Sequence, residues 1–499
     1  MTADTQTAKC NRKFYSRREF LKGVGLGSTS LALAQVLGCR AVVTEEKDAS
    51  SGFALYKEKY RPQFHFTSQT NWINDPNGLV YYKGEYHLFF QHNPFGINWG
   101  NMTWGHAVST DLMHWKQLPD AIEPDELGTI FSGSAVVDWN NTSGFQSGKE
   151  NVLVAFYTSA GEHAPVPRPY TQSIAYSNDR GRTWLKYKSN PVIGHIRADN
   201  RDPKVIWHEP TQTWIMALYL DADDFLLLSS KDIKHWTPLQ EIKLRGSDEC
   251  PDFFELAVDG DPSNTRWVFW GGDGRYMVGT FDGRKFTPET DAIQSKVGTY
   301  SAAQTWSDIP KSDGRRIQIG WTKGKFPGMP FNQQLSIPCE LTLRTFPEGI
   351  RLCRVPAREI HKLRGKKWTW RRTTIKPGEN LLAGITAELL EIRSEIELAG
   401  AAEVVFGLRG TPLIYYVADK TLWCRDRKVE LSPVDGRIKL HILVDRTCIE
   451  IFANDGRVSM FRSFPLDTGN TSVELFARGG QAALKTLDLW KLKPIWPRT

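Results

Sequence analysis

Ser109-Thr110-Asp111-Leu112-Met113-His114-Trp115 recurs along this chain in altered form. Ser177-Asn178-Asp179-Arg180-Gly181-Arg182-Thr183-Trp184 repeats the Ser, the Asp and the closing Trp, and so does Ser229-Ser230-Lys231-Asp232-Ile233-Lys234-His235-Trp236. Phe281-Asp282-Gly283-Arg284-Lys285-Phe286 is a degenerate copy. An Asp in this position accepts hydrogen bonds from turn amides, and the aromatic that follows returns to a core. Short apolar runs accompany the copies, at residues 86–90, 152–157, 214–219, 267–270 and 317–321. Each run is strand-sized and apolar enough for a buried strand, and long amphipathic helical patterns are hard to find. A unit of about fifty to seventy residues, strand-rich and ending in Asp-turn-aromatic, reads as one propeller blade, and the runs fit about five blades. The alternative is a β-sandwich with coincidental turns.

Residues 335–343 close the propeller region, and Pro347, Gly349 and Pro356 mark a connection. From about Lys366 the pattern changes to even, alternating short strands with turn signals such as Asn454-Asp455-Gly456, the pattern of a sandwich. The expected fold is all-β, a five-bladed β-propeller followed by a C-terminal β-sandwich. The expected organisation is a signal over 1–39, a polar tether over 40–58, the propeller over 59–345, a linker over 346–365 and the sandwich over 366–499.

Ser16-Arg17-Arg18-Glu19-Phe20-Leu21-Lys22 has the pattern of a twin-arginine export signal. The weakly apolar run after it is too short and too Gly-rich for a membrane span. Val36-Leu37-Gly38-Cys39 resembles a bacterial lipobox with Leu at an imperfect position. Export across the inner membrane to the periplasm or cell envelope is expected, with lipidation at Cys39 as the sole membrane contact. Cleavage without a lipid is the alternative.

The chain has 499 residues, which is long for a single core, so two domains are the default. Net charge is +7 with no long block of like charge, so nucleic-acid binding is not indicated. The 18 Trp fit either a carbohydrate binder, because sugar rings stack on indoles, or an aromatic-rich β core. Of the seven Cys, two (Cys10, Cys39) lie in the N-terminal segment. The remaining five, an odd number, exclude a full disulfide framework. No Cys-x-x-Cys or His-x-x-x-His pair is present, so no metal site is expected.

Three acidic motifs carry the chemistry: Trp72-Ile73-Asn74-Asp75-Pro76-Asn77-Gly78, Asn200-Arg201-Asp202-Pro203 and Asp248-Glu249-Cys250-Pro251-Asp252. Two carboxylates held rigidly across a polar bond can break a glycosidic linkage. A third can hold sugar hydroxyls by charge-assisted hydrogen bonds. Taken singly, each has a plainer reading: Asp75 in a tight turn, Glu249 as a surface acid, Asp202 in a surface ion pair with Arg201.

Together, and in this order, the motifs resemble those of glycoside hydrolase family 32, the β-fructosidases (invertases, levanases, inulinases). The stretch WGNMTWGHAVS from Trp99, FSGS from Phe131 and GWT from Gly320 are similar to that family too, and the likeness runs from about Tyr60 to the C-terminus. The resemblance is closest to the bacterial levanase and exo-inulinase type. It implies a five-bladed propeller and a retaining mechanism on fructan (levan or inulin) or sucrose. Asp75 is then the nucleophile, Glu249 the acid/base with a raised pKa, and Asp202 the transition-state stabiliser, kept ionised by Arg201. It further implies that Asn74, Gln91, Trp99, Trp104, Phe131, Ser132, Arg201 and Trp321 bind substrate, with Met102 as packing. No cofactor is called for. Asn200 and Asp248 depart from the family pattern and are expected to change pocket polarity. A fructan binder without activity, and a propeller enzyme acting on another sugar such as arabinan, are the competing readings. Linkage preference and oligomeric state are not written in the sequence.

Overall fold

The computed structural model describes residues 55–295 and 297–496. The export signal, the lipobox with Cys39, and nearly all of the tether lie outside the described residues. Among the described residues the only helical elements are three short 3-10 turns; the rest is strand and loop.

Each of the five apolar runs falls in the second strand of an antiparallel sheet. The first sheet is Asn71–Tyr82, Glu85–Asn93, Thr103–Ser109 and Lys116–Ile122. The second is Thr129–Asp138, Val152–Ala160, Thr171–Ser177 and Leu185–Lys186. The third is Arg201–His208, Thr213–Asp221, Asp224–Ser230 and Thr237–Lys243. The fourth is Asp252–Val258, Asp261–Trp270, Arg275–Phe281 and Phe286–Pro288. The fifth is Tyr300–Thr305, Arg316–Thr322, Cys339–Phe346 and Gly349–Pro356. The first strand of each sheet contacts the first strand of the next, and Tyr300–Thr305 returns to Asn71–Tyr82. This ring of inner strands is the hub of a five-bladed propeller. It is latched where Phe331–Asn332 pairs in parallel with the start of Asn71–Tyr82.

Strand periodicity explains why the second strands read as unbroken apolar runs. In Thr213–Asp221, Trp214, Met216 and Leu218 pack with the second blade, while Ile215, Ala217 and Tyr219 pack with the fourth. A strand with both faces buried needs apolar residues at every position.

The repeated Asp turns join the third and fourth strands of the first four blades. Asp111 Oδ1 accepts the amides of Met113 and His114 at 3.1 and 2.9 Å, and Asp232 Oδ1 those of Lys234 and His235 at 3.0 and 2.9 Å. Asp179 and Asp282 do the same in their copies. The residue after each Asp is left-handed: Leu112 (φ 63°), Arg180 (60°), Ile233 (59°) and Gly283 (91°). For a non-glycine residue that conformation costs roughly 1–2 kcal/mol, offset here by the paired amides and by complete burial of Leu112 and Ile233. Trp115, Trp184 and Trp236 then return to the blade, each indole donating to a carbonyl of its own turn.

The segment expected as a linker is not one. Gly349–Pro356 is the outer strand of the fifth blade, and Pro347 and Glu348 form the tip of a hairpin closed by Phe346 opposite Gly349. A 3-10 turn, Arg358–Leu363, then leads directly into the sandwich strand Arg364–Ile375. One sandwich sheet is built on Arg364–Ile375, Ala482–Leu492, Leu390–Glu397, Arg437–Val444, Cys448–Ala453 and Val458–Ser463. The other runs from Val473–Arg478 through Glu403–Leu408, Thr411–Tyr416 and Thr421–Cys424 to Arg427–Glu430. The sandwich shares a core with the propeller, where Leu352, Ala357 and Ile360 pack with Leu443, Phe452 and Trp490. Asp445 adds a polar clamp: its carboxylate accepts the amides of Gln63 and Phe64 at 2.7 and 2.9 Å and contacts His65 Nδ1 at 2.9 Å.

Burial pulls the Asp111 and Asp232 carboxyls upward, but turn amides and the neighbouring His114 and His235 outweigh it and hold both at about 2. A depressed carboxyl contributes stability above its unfolded value of about 3.9 and loses it as pH falls toward the folded value. Asp232→Ala should therefore cost about 1–3 kcal/mol at pH 7 by chemical denaturation. The gap to wild type should narrow as pH is lowered from 4 toward 2.

Candidate active site

Asp75, Asp202 and Glu249 all sit where an inner strand begins, on the first, third and fourth blades. Asp75 lies within Asn71–Tyr82, not in the turn that its motif favours in isolation. Ile73 faces His92 and Pro76 faces Phe90, so Asn74 and Asp75 together oppose Gln91 in a bulge. A bulge re-aims the side chain it carries. Asp202 is the second residue of Arg201–His208, left-handed at φ 64° and at a register shift against Thr213–Asp221. Its amide donates to Thr158 Oγ1 of the second blade at 2.9 Å. Glu249 and Cys250, at φ 50° and 39°, form the loop into Asp252–Val258. The Gly272 amide pins that loop by bonding the carbonyls of Asp248 and Glu249 at 3.0 and 2.9 Å. Two of the three acids thus sit on backbone that ordinary residues avoid, a pattern found at functional sites.

The three carboxylates open into one cavity of about 310 Å³. A continuous set of contacts joins them. Ser132 Oγ donates to Asp75 Oδ2 at 2.6 Å. Cys250 Sγ lies 3.6 Å from Asp75 Oδ2 and 3.5 Å from Asp202 Oδ2, and the Cys250 amide donates to Asp202 Oδ2 at 3.0 Å. Arg201 donates to Glu249 Oε1 at 2.6 Å and stacks over the Tyr219 ring at 4.7 Å.

The cavity walls carry five carboxylates, Asp75, Glu162, Asp199, Asp202 and Glu249, against one guanidinium, Arg201. Burial raises the Asp75 carboxyl; the Ser132 hydrogen bond opposes this and Glu249 adds to it. Burial likewise pushes Asp202 up to about 7, against Arg201 and with the help of Glu249 and Asp75. Arg201 favours the ionised form of Asp202, as expected, but does not outweigh its burial. Arg201 Nε stands 3.8 Å from Asp202, its short bond goes to Glu249, and desolvation dominates.

The family model for the N-terminal domain of glycosyl hydrolases family 32 matches residues 65–356, and the model for the C-terminal domain matches residues 359–491. The chain belongs to glycosyl hydrolase family 32. It is 42% identical to a levanase of Bacillus subtilis over 89% of this chain and 72% of that one. It is 30% identical to the extracellular exo-inulinase of Aspergillus awamori over 88% of this chain and 96% of that one. The crystal structure of exo-inulinase from Aspergillus awamori superposes with a TM-score of 0.79 at 29% identity, covering 88% of this chain and all (100%) of that one.

Seven of the eight expected subsite residues line the cavity of this family 32 chain: Asn74, Gln91, Trp99, Phe131, Ser132, Arg201 and Trp321. Trp99 stands at the rim, 50% exposed and edge-on to Phe131. Gln91 is buried, and its Oε1 has no protein partner among the described residues. Trp104 is the exception. It is fully buried in the seam between the first two blades, and its indole donates to the Phe131 carbonyl at 3.0 Å, so it supports the wall from behind. Asn200 and Asp248 do not reach the cavity either, which removes them as sources of pocket polarity. Met102, read as packing, is buried and also lines the cavity. Glu162, Tyr170 and Asp199 line it as well, and no motif marked them. Glu162 sits in a single 3-10 turn after Val152–Ala160, and Tyr170 donates to it. Among the described residues no group of acids, His and Cys is arranged to hold a metal ion.

Cys250, Cys339, Cys353, Cys424 and Cys448 are all free and buried. Ellman's reagent should find no reactive thiol in a native chain lacking residues 1–52, and all five once it is denatured.

Proposed function

We propose that this chain is a retaining β-fructosidase that releases terminal fructosyl units from levan or inulin, and from sucrose. The observation that carries the reading is the convergence of Asp75, Asp202 and Glu249 on one small cavity with a single guanidinium among five carboxylates. Relatives named levanase and exo-inulinase support the substrate class.

The ionised Asp75 attacks the anomeric carbon while Glu249 gives its proton to the departing glycosidic oxygen. The bond to the leaving sugar breaks and a fructosyl ester forms on Asp75. Glu249, now a carboxylate, takes a proton from water, whose oxygen displaces Asp75 and frees fructose. Ser132 steadies Asp75, and Arg201 orients Glu249. Asp202 accepts hydrogen bonds from two ring hydroxyls, and these tighten as positive charge develops on the sugar. The excess of negative charge around the cavity favours that positive charge. A cavity holding one terminal unit favours exo action, whereas a groove would favour cuts within the chain. The exported location is part of the same proposal. It rests on the twin-arginine pattern before Cys39 and on the extracellular relative, with the lipid at Cys39 as its membrane contact.

Product analysis on levan, inulin and sucrose tests the reading. Fructose alone from a fructan is the expected outcome, and a ladder of oligosaccharides overturns exo action. Asp75→Ala and Glu249→Gln should each lower kcat by about 10³-fold or more with the fold intact by circular dichroism. Near-wild-type turnover by Glu249→Gln on fructans would remove it as the acid. Arg201 holds Asp202 down, so Arg201→Ala should raise that carboxyl above about 7 and move the acid limb of kcat/KM to higher pH.

A further inference from the structure

The inner strands have a second end, and a larger cavity of about 610 Å³ lies there. Trp139, Trp207, Trp214 and Trp267 stand in its walls. Trp139 follows Thr129–Asp138 and is 53% exposed, its indole fixed by donation to Asp308 Oδ1 at 2.8 Å. Trp207 lies near the end of Arg201–His208, half-buried; its indole donates to Glu209 Oε2 at 2.6 Å and its ring meets Trp214 at 4.9 Å. Both indoles have their polar edge satisfied by protein. What remains is apolar ring surface, already oriented and open to the cavity.

Polar groups stand between these plates. Ser307 lines the cavity, is 8% exposed, and its hydroxyl has no partner among the described residues. Buried hydroxyls are rarely left unpaired, and a ligand is one way to complete them. Arg316 also lines the cavity, and among the described residues no carboxylate lies within ion-pair distance of it. Glu209 and Glu255 supply acceptors. Acids and bases in the wall nearly balance, which suits a neutral ligand. Flat apolar plates with donors and acceptors between them match a sugar chain, whose C–H faces stack and whose hydroxyls both give and take hydrogen bonds.

The two cavities share no lining residue. Lys204, on the strand between Asp202 and Trp207, is buried, bonded to the Thr305 carbonyl at 2.7 Å and paired with Asp252 at 3.3 Å. Asp202 and Trp207 share one strand and lie roughly 17 Å apart at about 3.3 Å per residue. A short substrate fills one site only, whereas a polymer long enough to pass around the blades reaches both.

We infer that the Trp139–Trp207 cavity is a second carbohydrate site that holds fructan polymer to the enzyme and raises its effective concentration at the active site. The inference takes the polymer's identity from the proposed function. Trp139→Ala, alone and with Trp207→Ala, should abolish retardation in native gels containing levan or inulin. KM for the polymer should rise roughly 5- to 10-fold, as loss of aromatic stacking predicts, with kcat unchanged. Sucrose hydrolysis should be unaffected, and Trp139→Phe should restore most of the retention. If wild type cleaves levan or inulin and the Ala variants keep their retention and KM, the second site is wrong. Loss of sucrose activity in those variants would mark a structural role and overturn it too. A wild type that releases fructose from neither fructan nor sucrose, yet is retained through Trp139, would overturn the fructosidase reading and leave the second site standing.

Discussion

Closure of five inner strands into a ring is the constraint from which the rest follows. Each blade can bury both faces of its second strand only because a neighbour stands on either side. Each inner strand is then fixed about a common axis. The beginnings of those strands converge, so acids far apart in the chain meet without any local segment having to bring them together. Ser134 shows how tightly the ring is tied, since its hydroxyl bonds the Pro203 carbonyl at 2.8 Å and receives the Val205 amide at 2.9 Å. A bulge or a left-handed residue at a strand start is tolerated because this surrounding frame over-determines the backbone.

The same convergence sets the electrostatics. Five carboxylates surround a small cavity, and burial raises the two deepest of them, Asp75 and Asp202. One guanidinium is too few to neutralise them, and it is committed to Glu249. The result is a site that disfavours anions and favours a neutral polyol whose reacting carbon turns positive. Cys250 adds to this without charge. Burial and the two neighbouring aspartates push its thiol well above the ordinary range, so it stands between Asp75 and Asp202 as a neutral donor.

Much of this was legible from residues alone, and the failures have specific causes. The Asp turns were readable because an Asp that accepts two amides and an aromatic that folds back are local devices. The apolar runs were readable because burial on both faces leaves no polar alternation. Asn74 to Gly78 prefers a turn when taken alone, and ring closure overrides that preference with a bulged strand. Pro347 and Gly349 misled, since a hairpin tip and a domain boundary use the same residues. Trp104 could not be placed because one step along a strand exchanges pocket for core, and only the register decides. Glu162 and Tyr170 carry no signal of their own, since they owe their position to the connection between the second and third strands of the second blade.

The latch has a consequence for how the molecule is made. Asn71–Tyr82 finds its last partner in Phe331–Asn332, and the backbone at Gln63 and Phe64 finds its own in Asp445. The first blade to leave the ribosome therefore waits for a segment near the far end of the propeller before it is complete. Contacts of such long range slow folding, because loop closure must precede any reward from the contact. The same contacts must all break before the hub can open. A chain built this way assembles late and cooperatively, and once closed its persistence is governed by a slow opening rate as much as by equilibrium stability.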